Sequence, residues 1–439
     1  MYRLGNYFDE MVGNIVRLTK KYFYSFIFIT IYKIILDYVY VSFIYKVFGY
    51  SGFSLDFSPV KFLISIFYFI LVYLVLPKDA DKPSSIFLQL HFIIMIIPML
   101  TYYSFTNDAG IFMLLNIIFF SMQCIVLRVI PNVKIAKIKG SQKALKWIIV
   151  PISFFVYISM IRANGMPSLK ALNVLNVYDI RRHVKYPFLM GYLVNWQAKI
   201  INPFLITIFY AEKNKKMIIV PTFMQLFIYL ITGHKSFLFI PLAILIVIKI
   251  IEHKDFFLIS TFMAAVGTLG VYLLYVIFDI LLVGSIFIRR FLFLPAKIKF
   301  DYYDFFSKNE FLYFSQGILG KIIGKKSLYQ INAANLIGYL YYGNVDTNAN
   351  TGYLADAYAN MGVLGMLLIT ILLIIIFMFI DSFSISINKE TVIGLSLFSI
   401  LSLNNGALLT SLLTGGLLLL LVILYLYSSD ENVSGKIKK

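Results

Sequence analysis

The feature that most constrains this chain is the recurrence, from residue 22 to residue 427, of apolar runs with few long polar interruptions between them. A helix needs roughly 20 mostly apolar residues to cross about 30 Å of hydrocarbon, where it must satisfy its own backbone N–H and C=O groups. Twelve candidate runs are readable, at 22–45, 60–76, 86–104, 110–128, 147–161, 198–211, 217–232, 237–251, 256–284, 361–380, 391–403 and 407–427. The runs beginning at 198, 237 and 391 fall short of the lower limit of about 17 residues, so they are expected to borrow flanking residues or to cross where protein buries them. Composition agrees, with 60% hydrophobic and only 14% charged residues and a mean hydropathy of +0.84. That is too apolar for a water-soluble domain of this length. The expected fold is an all-α polytopic membrane protein of about 12 spans, a single membrane domain over 1–439, with long extracytoplasmic loops at 162–197 and 285–360. No Pro/Gly/Ser-rich linker and no internal repeat divides it.

Charge sets the orientation. The formal net charge is +18, which in a soluble protein would suggest nucleic acid. In a membrane protein, Lys and Arg collect in cytoplasmic loops. With the N-terminus inside, the clusters Arg17/Lys20/Lys21, Lys134/Lys137/Lys139/Lys143/Lys146, Lys213/Lys215/Lys216 and Lys436/Lys438/Lys439 all fall on the cytoplasmic face. No nucleic-acid partner is needed to explain that share. The two long connections nevertheless carry Arg162, Lys170, Arg181, Arg182, Lys185, Arg289 and Arg290 outside. Either long loops are simply exempt from the positive-inside rule, or these cations bind an anion there. The single Cys124 excludes an intrachain disulfide, and the first apolar run, with no small-residue cleavage site after it, is expected to be a retained helix.

Several familiar chemistries lack support. Gly320 to Ser327 looks superficially like a phosphate loop, but Leu319 stands where the first glycine is required. Its Leu319, Ile322 and Ile323 with Lys321, Lys325 and Lys326 instead fit a short helix on the membrane surface. The four histidines show no ligand spacing with one another or with Cys124, so no metal and no cofactor are expected. Lys33 and Asp37, four apart in the first apolar run, read as an internal ion pair, and Asp279 sits near the end of another run. The 42 Phe and 32 Tyr are mostly accounted for by lipid-facing and interfacial positions.

The polar constellations gather outside. Tyr178–His183 (YDIRRH) is followed by Asn195, Trp196 and Gln197 and then by Asn202–Pro203; the turn Thr232–Ser236 adds Lys235; Arg289 and Arg290 lead into Pro295 and Tyr302–Phe306; and Asn348–Gly362 carries Tyr353, Asp356 and Asn360. Cations, amides and an indole at headgroup depth suit sugars and phosphates.

At the segments YDIRR with GYLVNWQAKIINPF, TGHKSF, RFLFLPAKIKFDYYDFF and NTGYLADAYANMGVLG, over residues 178–365, the chain resembles the O-antigen and capsule repeat-unit polymerases (Wzy-type). Residues 1–160 match that family only as generic membrane helices. The resemblance implies a metal-independent glycosyltransferase of the bacterial cytoplasmic (inner) membrane, joining polyprenyl-diphosphate-linked oligosaccharides, with undecaprenyl diphosphate as leaving group. Membrane lipid and a chain-length regulator are its implied partners. Arg181 and Arg290 match the family's arginines and would hold the diphosphate, since a guanidinium offers a permanent charge and a bidentate fork. Arg182, Arg289 and Lys235 would assist, with Asn195, Trp196 and Tyr353 contacting sugar. Asp356, or else His183, would be the base for the acceptor hydroxyl, although a carboxylate at Asp356 would equally suit a helix start. An O-antigen ligase shares this logic, while a lipid-linked oligosaccharide flippase would place its cations in a central cavity with short outer loops.

This orientation predicts that reporter fusions after residue 180 and after residue 330 score as extracytoplasmic and that both termini score as cytoplasmic. A cytoplasmic signal after residue 330 would overturn it.

Overall fold

The computed structural model describes residues 2–133, 135–136, 138, 140–172, 177–253 and 255–428; the side chains described begin at Lys21 and leave out 170, 172, 177–179, 318 and 323. Lys134, Lys137, Lys139, Lys436, Lys438 and Lys439 of the basic clusters lie outside the described residues, as do the side chains of Arg17, Lys20, Lys170, Tyr178 and Asp179. Among the described residues every regular element is helical and there is no strand. Among the described residues six helices are long and apolar enough to cross a membrane: Lys21–Ser51, Pro83–Phe105, Gly110–Val129, Ser141–Asn164, Phe256–Phe278 and Tyr353–Ser384. Pro59–Val75, Ile219–Thr232 and Leu417–Tyr427 are apolar but shorter. The stretch 285–360, expected as a connection, is helical over Ser285–Phe293, Leu294–Phe306, Ile318–Ile323 and Ala333–Tyr342. Its charged residues alternate with apolar ones at helical spacing, so a low average hydropathy conceals a buried face.

The chain forms two compact units: Met1–Asp81 with Ser85–Val129 and Lys254–Leu372, and Lys82–Ser84 with Ile130–His253 and Leu373–Lys439. In the first, the N-terminal helix packs along Phe256–Phe278 through ring pairs that meet edge to face, Phe28 with Phe262 at 5.3 Å and Tyr38 with Tyr272 at 5.6 Å. Such edge-on pairs place the positive rim of one ring on the negative face of the other. Lys33 and Asp37 do form an ion pair, at 2.6 and 2.7 Å, and Thr101 donates a third hydrogen bond to Asp37. The carboxylate that Lys33 holds thus also ties the helix Ile97–Phe105 to the N-terminal one.

In the second unit, Val156, Met160, Val194, Ile206, Ile228, Ile240 and Ile244 form the core. A run of buried amides crosses it. Gln197 donates to Asn202 at 2.7 Å, Asn202 to Gln225 at 2.7 Å, and Gln225 to the Phe237 carbonyl at 3.0 Å. With hydrophobic packing giving little preference between helices in lipid, hydrogen bonds of this kind fix which faces meet.

Among the described residues four π-helical segments interrupt the helices: Tyr40–Ile44, Phe92–Ile96, Gln197–Ile201 and Ser285–Phe293. Three of them end two residues before a proline, namely Pro98, Pro203 and Pro295. A proline brings no N–H and its ring presses on the carbonyl four residues back. That carbonyl belongs to Ile94, Lys199 or Phe291, each inside the π segment. The widened turn relieves the clash and keeps the helix continuous. Pro151 and Pro241 lie within helices that show no such turn.

Breaking the Lys33–Asp37 pair from one side strands a buried charge, at a cost of about 3–5 kcal/mol. Asp37→Leu alone should therefore lower the unfolding temperature in detergent more than Lys33→Met with Asp37→Leu together. A double variant less stable than the single one would count against this account.

Candidate functional site

In the second unit the helix Ser141–Asn164 ends at Gly165, whose φ of +78° turns the chain away from the helix axis. The Asn164 side chain accepts from the Lys185 N–H at 2.7 Å and donates to the Lys185 carbonyl at 3.0 Å. The end of that helix is thereby tied to the backbone at Lys185. Between the two the short helix Val177–His183 carries Arg181, Arg182 and His183, all exposed. Arg181 donates through Nε to the carbonyl of Gly233 at 2.9 Å. The segments YDIRR and TGHKSF, separated by about fifty residues in sequence, thus meet.

Gly233 ends the helix Ile219–Thr232 at φ +64°, and His234 caps the next helix, on which Lys235 is the first residue and half-buried. The Tyr186 hydroxyl lies 3.4 Å from His234 Nε2. Burial, reinforced by the nearby positive charges of Arg181 and Lys199, pushes the His234 imidazole down to about 4, so it is neutral at physiological pH. A cavity of about 280 Å³ opens beside these groups, walled by Met166, Ile180, Val184, Leu230 and Ile231, with His183 on its lining. Asn195 and Trp196 are directed elsewhere. Asn195 donates back to the Gly191 carbonyl at 2.8 Å, and the one indole N–H of Trp196 donates to the Leu413 carbonyl at 2.6 Å.

The first unit holds the other predicted residues. Arg289 lies on the π-helical segment with its guanidinium 4.8 Å from the centroid of Phe48 and 5.9 Å from that of Tyr50, while Arg290 is exposed. Stacking on rings holds a guanidinium in place without consuming its donors. The Arg289 Nε is buried and, among the described residues, has no hydrogen-bond partner.

One helical segment further on lies a cluster that sequence reasoning passed over. Lys297 reaches both carboxylate oxygens of Asp301 at 2.9 Å, and the Tyr342 hydroxyl donates to Asp301 at 2.8 Å. The Tyr342 ring lies under the Lys297 ammonium at 4.7 Å. Asp304 accepts from Tyr341 at 2.6 Å and pairs with Lys308. Burial pushes Asp301 up to about 6, partly offset by Lys297 and Tyr342, and burial pulls Lys299 down to about 7. For Asp304 burial also acts upward, but Lys308 and Tyr341 outweigh it and hold the carboxyl below its usual range. The i,i+4 spacings Lys297–Asp301 and Asp304–Lys308 were available as a signal. The paired Tyr341–Tyr342 were lost among so many tyrosines.

Asp356 occupies the first turn of Tyr353–Ser384. The Asn360 amide donates to the Asp356 carbonyl at 2.8 Å and lies 3.4 Å from its carboxylate. Tyr353 is 1% exposed, bonded to Gln123 at 2.9 Å and stacked on His91, which places it in the core. The structure therefore brings together Arg181, Arg182, His183 and Lys235 within one unit, and holds Arg289, Arg290 and Asp356 within the other. Among the described residues no three His, Cys, Asp or Glu side chains are placed to hold a metal ion.

The His234 imidazole generates a pH dependence of known sign. Its folded-state pKa of about 4 lies below the ordinary value of 6.5, so as pH falls through that window the unfolded chain binds a proton that the folded one does not. Stability from this group is fully present above pH ~6.5 and falls by about 3 kcal/mol by pH ~4. His234→Gln should flatten that part of the stability profile, measured by thermal unfolding between pH 7 and 4; an unchanged slope would contradict it. Comparison of the chain with protein-family models, with curated proteins and with solved structures finds no match.

Proposed function

We propose that this chain polymerises polyprenyl-diphosphate-linked oligosaccharide repeat units into O-antigen or capsular polysaccharide, working on the outer face of a bacterial cytoplasmic membrane with about twelve spans and both termini inside. The observation that carries the reading is the Arg181–Gly233 hydrogen bond, which gathers the cations of YDIRR and TGHKSF at one exposed place. The resemblance over residues 178–365 supports it further.

The chemistry follows from the location. Outside the cytoplasmic membrane there is no ATP, so a growing glycan needs a substrate that carries its own leaving group. A lipid diphosphate does. The acceptor hydroxyl oxygen bonds to the anomeric carbon as the bond from that carbon to the diphosphate breaks. The electron pair leaves on the diphosphate, whose charge Arg181 and Arg290 stabilise, and the hydroxyl proton passes to Asp356. Arg182, Arg289 and Lys235 add to the positive field, and His183, on the cavity beside Arg181, is the alternative base.

The lipid-linked glycans of a strain lacking the gene test this reading. Loss of a polymerase leaves single repeat units on the final acceptor; loss of a ligase leaves long chains on the carrier lipid; loss of a flippase leaves single units facing inward. Returned into that strain, Arg290→Lys should restore little polymer despite its charge, because an ammonium cannot reproduce the bidentate fork. Asp356→Asn should yield normally inserted protein and single-unit glycan, a loss on the order of 10²- to 10⁴-fold. Wild-type polymer from Asp356→Asn would remove it as base and move the proposal to His183.

A further inference from the structure

The segment 311–328 of the first unit belongs to none of the chemistry above. It begins where Tyr353–Ser384 changes character, because that helix breaks at Met361 and Gly362 and its strongly apolar part follows the break. The Leu312 N–H donates to the Ala359 carbonyl, the Tyr313 N–H to the Asn360 carbonyl and the Phe314 N–H to the Asn360 side chain, at 2.8 to 2.9 Å. Phe311 packs against Gly362. The segment is thereby anchored beside the break at which the strongly apolar part of that helix begins, and the end of an apolar spanning run is where headgroups are expected.

Its anchorage is also strained. Tyr313 and Phe314 are consecutive non-glycine residues with φ of +50° and +56°, a conformation that persists only where surrounding contacts impose it. From this base the chain throws out a short helix and turn that leave Ile322 75% and Leu328 61% exposed, among the exposed lysines Lys321, Lys325 and Lys326. Lys325 sits 4.2 Å above the Tyr313 ring. Large apolar side chains that the described residues leave exposed, interleaved with lysines beside the start of the apolar part of a helix, match an interfacial membrane contact.

We infer that residues 318–328 dock on anionic phospholipid headgroups, with Ile322 and Leu328 inserted among the lipids and the three lysines on phosphate. Anionic headgroups are the fitting occupant because the exposed charges on the turn are all positive, and each lysine near such a surface multiplies the docked population by about fivefold. Asn360 couples this contact to the candidate site, since the amide that holds the strained base also touches Asp356.

The full chain with Ile322→Cys, labelled with a polarity-sensitive fluorophore, tests this. Cys124 is fully buried, so labelling is selective. The probe is read in nanodiscs of phosphatidylcholine alone and of phosphatidylcholine with phosphatidylglycerol, with Asp346→Cys as an exposed control. The expected result is a blue-shifted emission, quenched by headgroup-depth spin-labelled lipid, that strengthens with phosphatidylglycerol, weakens in high salt and is lost when Lys321, Lys325 and Lys326 are all changed to Gln. Equal quenching by aqueous iodide in both lipid compositions would overturn the inference. So would a blue shift indifferent to lipid charge and to the lysines, which would mark a neutral or protein contact. No arm reads polymer, so these outcomes are independent of the proposed activity.

Discussion

A carbonyl displaced by a proline has no water to turn to inside a bilayer, and an unsatisfied backbone group there costs several kcal/mol. That constraint bears on three of the prolines, Pro98, Pro203 and Pro295, whereas Pro151 and Pro241 lie in helices without a widened turn. By widening the turn ahead of Pro98, Pro203 and Pro295, the helices stay continuous where kinks would otherwise open their ladders. Two of these sites adjoin the polar groups of the molecule. The segment Gln197–Ile201 turns Gln197 into the buried amide run, and Ser285–Phe293 carries Arg289 and Arg290. Extra backbone width and altered side-chain phase come together, which is why π turns recur at functional positions.

The same solvent sorts the charges. Lys33 has Asp37, Lys297 has Asp301, and the Asp301 carboxylate has Tyr342 as well. Buried ions without such partners would cost several kcal/mol each. Arg181, Arg182 and Arg290 are different in being exposed, outside every helix long and apolar enough to span. Their guanidinium groups can meet a soluble or headgroup anion without first being stripped of water.

How much of this was legible in the sequence depends on the scale. Helix existence was, because twenty apolar residues in lipid have one economical conformation; each of the twelve runs is largely helical, six of them within helices of spanning length, although 407–427 is divided between Leu408–Leu413 and Leu417–Tyr427. The Lys33–Asp37 pair was legible from its i,i+4 spacing. The helical nature of 285–306 was missed, since Lys297, Lys299, Asp301 and Asp304 lower the average hydropathy although most of them are buried. Tyr353 was expected at a surface because its neighbours are polar. Its burial depends on Gln123 and His91, more than two hundred residues away, and no local pattern encodes a partner at that distance.

The most distinctive sequence stretch, NTGYLADAYANMGVLG, shows how a motif can be dictated by backbone geometry as much as by chemistry. The helix expected to open at 361 starts at Tyr353 and breaks at Gly362, where φ +59° and ψ −142° suit only glycine. A Cβ at Gly362 would also press on Phe311 at 3.0 Å, and one at Gly365 would lie 2.2 Å from the Ala357 carbonyl, so the polar and apolar parts of the helix can close on each other only with both glycines present. Asn360 then holds Tyr313 and Phe314 across the break with its carbonyl and its side chain. Three of the motif's residues are therefore spoken for by architecture. Asp356 is not: among the described residues its carboxylate has only the long contact to Asn360, half-buried at the head of a helix whose shape its neighbours already determine. A helix start needs no carboxylate when the backbone is fixed so thoroughly by other means, so capping alone does not account for a carboxylate at this position.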